Sequence, residues 1–373
     1  MHVVQLGKYY PPQRGGIETV VEGLARGLVR RGHEVTVVVS NDCPRDADER
    51  IDGVRVIRVA RRALIASQPI NPGLTRALSE LSFDVLHVHT PNPLGALAAL
   101  VASRGRPLVV SHHSDIVEQK LLGLPGRLAH AALYARASAI VAATPLHVRY
   151  SAMLRRFEER CRVIPFSLPE RPNGSPAPPI LPSGWLERPL ALFVGRLVHY
   201  KGLQVLLDAL AKCPSLRLAV VGSGPLRAQL VQKARDLGIE QRVAFVGNVS
   251  DQALQALYSA CRFLVLPSIL ESEAFGLVQL EAMAAGRPVI STNLRSGVPY
   301  VNQHGRTGLL VPPGDAAALA AAMLRLCEDD ALCARLGRAA RLRVAEFGEE
   351  SVLDRWVELY AELSAPAEAV VSA

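Results

Sequence analysis

Residues 191–211 read Ala-Leu-Phe-Val-Gly-Arg-Leu-Val-His-Tyr-Lys-Gly-Leu-Gln-Val-Leu-Leu-Asp-Ala-Leu-Ala. An unbroken apolar run, Ala191–Gly195, suits a strand buried on both faces, as parallel sheets require. A turn with two cations follows. From Gly202 to Ala211 the leucines recur at helical spacing. Strand, turn and helix in this order make half of a βαβ unit.

Outward from this segment the alternation repeats. The spacing predicts further strands over Leu218–Gly222, Val243–Gly247, Phe263–Pro267, Pro288–Thr292 and Gly308–Val311. Helices are expected over Leu226–Leu237, Asp251–Cys261, Phe275–Ala285 and Ala316–Glu328. Towards the N-terminus the strand candidates are Val3–Gly7, Glu34–Ser40, Val54–Ala60, Val85–Thr90, Leu108–His113, Ala139–Thr144 and Arg162–Phe166. Ile17–Arg31 and Pro93–Ser103 read as helices between them. The stretch Pro165–Pro179 is rich in proline and poor in apolar residues, and reads as a linker. The expectation is an α/β chain with two Rossmann-like, doubly wound domains, 1–168 and 180–349, facing a cleft. A helical tail, Asp330–Phe347 and Glu350–Leu363, is expected to pack across both, with 350–365 completing the first domain.

The 373 residues are 49% hydrophobic and 20% charged, which fits two globular domains and excludes extended disorder. The longest apolar stretch, Leu94–Ala102, is far short of the roughly 20 residues that span a bilayer. The opening Met1–Gly7 reads as a core strand rather than a signal peptide. Six cysteines lie scattered with no C-x-x-C pair, which argues against a zinc site or disulfide framework and fits a reducing cytosol. The net charge of +8 is uneven. Residues 1–170 carry 22 basic and 15 acidic side chains, and the remainder 20 and 19. Such asymmetry suits an anionic partner for the first half, or simply a solvated basic face. Aromatic residues are only 5%, without the interleaving with cations that base stacking needs, so nucleic acid is not the expected partner.

Three turns follow strand candidates and precede helices. In Gly7–Glu18, the pair Gly15-Gly16 opens a helix and would let backbone N–H groups approach an anion, though an ordinary connecting loop fits too. In Gly195–Gly202, Arg196 and Lys201 suit a phosphate, one as a fork and one as a point charge. Gly222-Ser223-Gly224 lacks the third glycine of a dinucleotide fingerprint and reads as a structural turn, which disfavours a nicotinamide enzyme. Glu273 precedes a helix and Glu281 lies in it. If the whole interval were helical the rise would be about 12 Å, against roughly 5–10 Å for a glycosidase pair. The two are expected to grip separate parts of one extended ligand. His87, His89, His112 and His113 cluster on two strands without a cysteine or acid at metal-ligand spacing, and His113 at a strand end suits a substrate contact.

These residues carry a resemblance. Gly15-Gly16-Ile17-Glu18, His113-Ser114-Asp115, Phe193–Leu197 with Lys201-Gly202, Glu273-Ala274-Phe275-Gly276 with Glu281, and Gly305–Pro312 are similar to the retaining family 4 glycosyltransferases of GT-B fold, over nearly the whole chain. The resemblance implies that Arg196 and Lys201 hold the donor's diphosphate and offset leaving-group charge. It implies that Glu281 binds ribose hydroxyls, and that Glu273 with the backbone of Ala274, Phe275, Gly276 and Leu277 holds the donor sugar. Gly15 and Gly16 would approach the diphosphate, Gly247 would line the nucleotide site, and His113 would sit near the transferred sugar. No cofactor and no metal are implied, the cationic pair standing in for a divalent ion.

One departure narrows the resemblance. Many relatives carry glutamate in a Gly-Gly-x-Pro-Glu segment, where this chain reads Ser296-Gly297-Val298-Pro299-Tyr300. That looks like the mannosyl- and rhamnosyltransferase branch of bacterial O-antigen synthesis. It implies GDP-mannose or a GDP-deoxyhexose as donor and a lipid-linked or glycan acceptor. A cytoplasmic enzyme is expected, peripheral on the inner face of the membrane. Lys120–Arg127, and Arg155, Arg156 and Arg160 beside Met153, Leu154 and Phe157, suit an anionic surface, or their apolar residues simply belong to the core. A nucleotide-sugar epimerase, or a transferase using a UDP-sugar and a small soluble acceptor, remains open.

Overall fold

The structure is a computed structural model and describes residues 1–13, 15–65, 68–103, 105–114, 123–168 and 180–365. Most of the linker candidate, the segment Lys120–Leu122 and Asp115 lie outside the described residues. The chain falls into two compact units, divided at 169/170 and again at 348/349, so that the last helix joins the first unit.

The first unit is built on strands β1 (His2–Leu6), β2 (Glu34–Ser40), β3 (Ala47–Ile51), β4 (Val54–Val59), β5 (Ala63–Ile65), β6 (Gln68–Ile70), β7 (Val85–Thr90), β8 (Leu108–His112), β9 (Ala139–Ala142) and β10 (Cys161–Val163). Eight of them form one sheet in the order β10-β9-β8-β7-β1-β2-β4-β3. Neighbours are parallel except β3 and β4. The short β5–β6 ribbon stands apart.

Side-chain alternation along β2 shows why two helical layers are needed. Val35, Val37 and Val39 face one core, and Val38 faces the other. The first core is closed by helix Gly16–Arg30 and by the last helix, Glu349–Ser364, through Leu24, Leu28, Leu353, Trp356 and Tyr360. The two helices touch closely. A Cβ on Gly27 would meet Leu353 Cδ1 at 2.6 Å. At the end of the helix pair, Arg30 pairs with Glu349, and Arg31 with Glu350 and Asp354. The opposite face is covered by Pro93–Ala102 and Gly123–Arg136.

Strand β3 and the β5–β6 ribbon are absent from the sequence-based expectation. β3 reads Ala-Asp-Glu-Arg-Ile, a charged edge strand with no buried face to reveal it. Its partner follows after Asp52-Gly53, both at positive φ (50° and 83°), as a two-residue hairpin turn demands.

The second unit contains β11 (Leu190–Val194), β12 (Arg217–Val221), β13 (Val243–Gly247), β14 (Phe263–Leu266), β15 (Val289–Thr292) and β16 (Gly308–Val311). They form one wholly parallel sheet in the order β13-β12-β11-β14-β15-β16. The strand order reverses between β11 and β14, and folds of this type bind ligands beyond the carboxyl ends of the strands at such a point. Phe193, Leu206, Leu210, Leu218, Phe263, Met323 and Leu336 share its core. Of the tail, Asp330–Arg343 packs in this unit and Glu349–Ser364 in the first.

Candidate functional site

In the second unit, the loops after β11 and β14 are knitted together. Gly202 has φ 69°, and a Cβ there would lie 2.0 Å from the Pro267 carbonyl oxygen. Glycine therefore lets the turn seat against the neighbouring loop. The Ile269 N–H donates to the Tyr200 carbonyl at 2.8 Å. Between these backbone contacts, Lys201 Nζ lies 2.5 Å from Glu273 Oε2. The hydroxyl of Ser268 donates to the same oxygen at 2.8 Å, and Thr292 Oγ1 donates to the Ser268 carbonyl at 2.6 Å. The two charged side chains are 12% and 8% exposed. Burial pulls the Lys201 pKa down, but the adjacent Glu273 carboxylate outweighs it, and the pKa stands above the usual lysine value.

Arg196, from the same turn, is exposed and forms no ion pair among the described residues. The glycines of Gly222-Ser223-Gly224 are structural. A Cβ on Gly222 would meet the Gly195 carbonyl oxygen at 2.1 Å, and one on Gly224 the Leu197 carbonyl oxygen at 2.5 Å. Gly247 ends β13 at φ 82° and its carbonyl accepts from Gly222 N–H at 2.8 Å.

The helix expected from Phe275 begins at Leu277, with Gly276 before it at φ 73°. A left-handed residue cannot lie within a right-handed helix, so Glu273, Ala274, Phe275 and Gly276 form a loop, and the 12 Å rise reckoned for a continuous helix does not apply to the whole interval. Phe275 is buried edge-on to Phe347 at 6.0 Å. The Ala274 carbonyl accepts from Gly297 N–H at 2.7 Å, tying the sugar-loop candidate to Ser296–Tyr300. Tyr300 itself lies under the Arg343 guanidinium at 5.2 Å. Glu281 lies within the helix, half-buried.

In the first unit, Gly15 is the N-cap of helix Gly16–Arg30 and offers no side-chain cap. Its missing Cβ leaves room for Glu18, whose Oε2 would come within 2.3 Å. The first N–H groups of a helix lack intrahelical partners, and Gly16 has open space around its Cα. His113 follows β8, is 4% exposed, stacks on Phe166 at 5.0 Å and meets His89 at 2.9 Å. The sequence reading missed Ser268, Thr292, Gln5 and His89 as partners of site residues. Ser268 and Thr292 do lie just beyond or at strand ends, the one available signal.

The basic segment near 155 needs correction. Leu154 is fully buried, and Met153 and Phe157 pack on the same core, so its apolar residues point inward. Arg155 and Arg156 remain exposed, while Arg160 donates to the Ala135 carbonyl at 2.7 Å. No helix among the described residues is long and apolar enough to cross a membrane.

Residues 183–343 match the family described as Glycosyl transferases group 1, and residues 15–167 match the Glycosyl transferase 4-like domain. The chain is 33% identical over 370 residues to O-antigen chain mannosyltransferase C of Escherichia coli, covering 97% of this chain and 99% of that one. It is 35% identical over 354 residues to D-rhamnosyltransferase WbpZ of Pseudomonas aeruginosa, covering 92% and 91%. Among solved structures, sucrose-phosphate synthase from Thermosynechococcus elongatus superposes with a TM-score of 0.79 at 26% identity, covering 97% and 98%. With both halves matched and the similarity continuous from end to end, the chain belongs to the group 1 glycosyltransferases of GT-B fold and is a transferase enzyme.

Proposed function

We propose that this enzyme is a retaining, metal-independent glycosyltransferase that moves mannose or rhamnose from a GDP-sugar to a glycan or lipid-linked acceptor in surface-polysaccharide synthesis. The observation that carries the reading is the joined pair of loops at the β11/β14 switch point, with an exposed Arg196 beside the Lys201–Glu273 pair. A nucleoside diphosphate leaving there gains negative charge as the glycosidic bond breaks, and fixed cations favour that charge more than they favour the ground state. The reading assigns Arg196 and Lys201 to the diphosphate, Glu281 to the ribose, Gly247 to the nucleotide, and Glu273 with residues 274–277 to the sugar. Gly15 and Gly16 serve the diphosphate and His113 the transferred sugar. The mannosyl- and rhamnosyltransferase relatives support the choice of sugar. A panel of GDP-, UDP- and dTDP-sugars, scored by protection against thermal unfolding, tests the donor. GDP-mannose or GDP-rhamnose should protect most. Stronger protection by a UDP-sugar, or turnover of donor without any acceptor, would favour the rival transferase or the epimerase. Proton NMR of the product reads retention from the anomeric coupling.

A second element of the proposal is the membrane. Helix Pro93–Ala102 contains no polar residue, and Leu97 and Val101, one turn apart, are 51% and 59% exposed. Leu128 of the neighbouring helix is 62% exposed. Arg136 ends that helix, and Arg160, which donates to the Ala135 carbonyl in its last turn, links it to the segment bearing Arg155 and Arg156. Exposed apolar side chains with cations in the adjoining segments suit an anionic leaflet, here assigned to the inner face of the cytoplasmic membrane. Sedimentation with anionic vesicles at low salt, lost on adding salt or in Leu97→Asp/Val101→Asp, is expected. Binding indifferent to both changes would remove this surface from the proposal.

A further inference from the structure

Three adjacent strands of the first unit change character along one face. Toward the face closed by the last helix, β1 presents Val3 and then Gln5. β7 presents Val85, His87 and His89, and β8 presents Val109 and Ser111 with His113 beyond its end. Valine at the base gives way to hydrogen-bonding side chains at the carboxyl edge, where ligands bind in this fold.

These five polar side chains and Tyr360 of the last helix are all buried, and they form two short chains. In one, His87 joins the Tyr360 hydroxyl at 2.8 Å to Ser111 Oγ at 2.7 Å. In the other, Gln5 Oε1 lies 3.1 Å from His89 Nε2, and His89 Nδ1 lies 2.9 Å from His113 Nε2. Burial holds both His89 and His113 well below the ordinary histidine pKa, so each ring is neutral and has one donor and one acceptor nitrogen. An amide oxygen only accepts. His89 Nε2 therefore carries the proton, its Nδ1 accepts, and His113 must donate through Nε2. The His113 Nδ1 is left with a lone pair, while Phe166 stacks on the ring and fixes its plane. The Gln5 Nε2 group is buried without a partner, so the side chain serves this contact through its oxygen alone.

We propose that Gln5 and His89 are positioning residues that hold His113 in its Nε2–H tautomer, so that Nδ1 accepts a hydrogen bond from a hydroxyl of the transferred sugar. This rests on the reading in which His113 meets the donor sugar.

The test begins with the whole protein, ring-15N-labelled at histidine, with the His113 signals assigned by their loss in His113→Asn. Two-bond 15N–1H correlation spectra of the free wild type should show His113 protonated on Nε2. Gln5→Met removes the acceptor at similar volume. It should give a mixed tautomer signature at His113 and lower kcat about tenfold, the worth of one buried hydrogen bond. Affinity for the nucleoside diphosphate, which lacks the sugar, should stay unchanged in calorimetry. His113 protonated on Nδ1 in the wild type overturns the proposal, and that spectrum decides even if Gln5→Met fails to fold. A folded Gln5→Met that keeps both tautomer and kcat overturns it equally. The stated tautomer in a protein that transfers no sugar supports the chain and overturns the donor reading instead.

Discussion

Lys201 and Glu273 meet at 2.5 Å, across the two loops that end the neighbouring strands β11 and β14. The contact changes what each can offer a ligand. One ammonium proton of Lys201 is committed to the carboxylate, and one carboxylate oxygen already receives both Lys201 and Ser268. Arg196 is left as the exposed, uncompensated cation of this turn.

Breaking the pair from one side should cost stability. Glu273→Ala leaves a nearly buried ammonium without its counter-charge, an effect of about 3 kcal/mol for such pairs. Lys201→Met in the same background should recover most of that loss. Urea unfolding of the two single variants and the double variant measures it, and additive losses would show that the contact is not coupled.

Arg196→Ala should behave in the opposite way. An exposed side chain without an ion-pair partner contributes within about 0.5 kcal/mol to stability. Its loss should nevertheless lower kcat about 10²-fold, as removal of one transition-state donor does. Steady-state kinetics beside a thermal melt separates the two effects. Near wild-type kcat would withdraw Arg196 from the diphosphate.

Glu281→Ala and Glu273→Gln should divide the ligand between them. Loss of hydrogen bonds to a charged acceptor is worth roughly 1.5–3 kcal/mol, so Glu281→Ala should weaken nucleoside diphosphate binding about 10- to 100-fold. Glu273→Gln should leave that affinity nearly unchanged and slow transfer. Calorimetry with the diphosphate alone gives the comparison, and equal losses would contradict it.

The buried histidines make stability fall on the acid side. Burial pushes His87 and His112 from 6.5 down to about 3. Between those values the unfolded chain binds a proton that the folded one refuses. Unfolding is therefore favoured as pH drops below about 6.5, and unaffected by these groups above it. At pH 5 each should contribute roughly 2 kcal/mol of destabilisation. Denaturant titrations at pH 7 and pH 5 test this, and His112→Gln should shrink the difference by its own share, roughly 2 kcal/mol.

What the sequence discloses depends on how far apart the interacting residues lie. Glu34–Ser40, Val85–Thr90 and Ala316–Glu328 are legible to the residue because burial or periodicity is written locally. The charged strand Ala47–Ile51 is not, although Asp52-Gly53 was a hairpin signal in plain view. Arg196, Lys201, Glu273 and Glu281 stand out as residue types at strand ends, but their pairing does not. Lys201 and Glu273 are brought together by the reversal of strand order, which spacing along the chain cannot express. The Gln5–His89–His113 chain is hidden for the same reason, being assembled from three strands.

The last helix has a consequence for how the molecule is made. Trp356 and Tyr360 belong to the core of the unit whose other residues are synthesised first. Its sheet must wait, with the Val35–Val39 face incompletely covered and His87 lacking the Tyr360 hydroxyl, until the whole second unit has left the ribosome. Folding in order of synthesis is thus open to the second unit before the first. A chain halted before Glu349 would carry the later-made half intact and the earlier-made half unfinished.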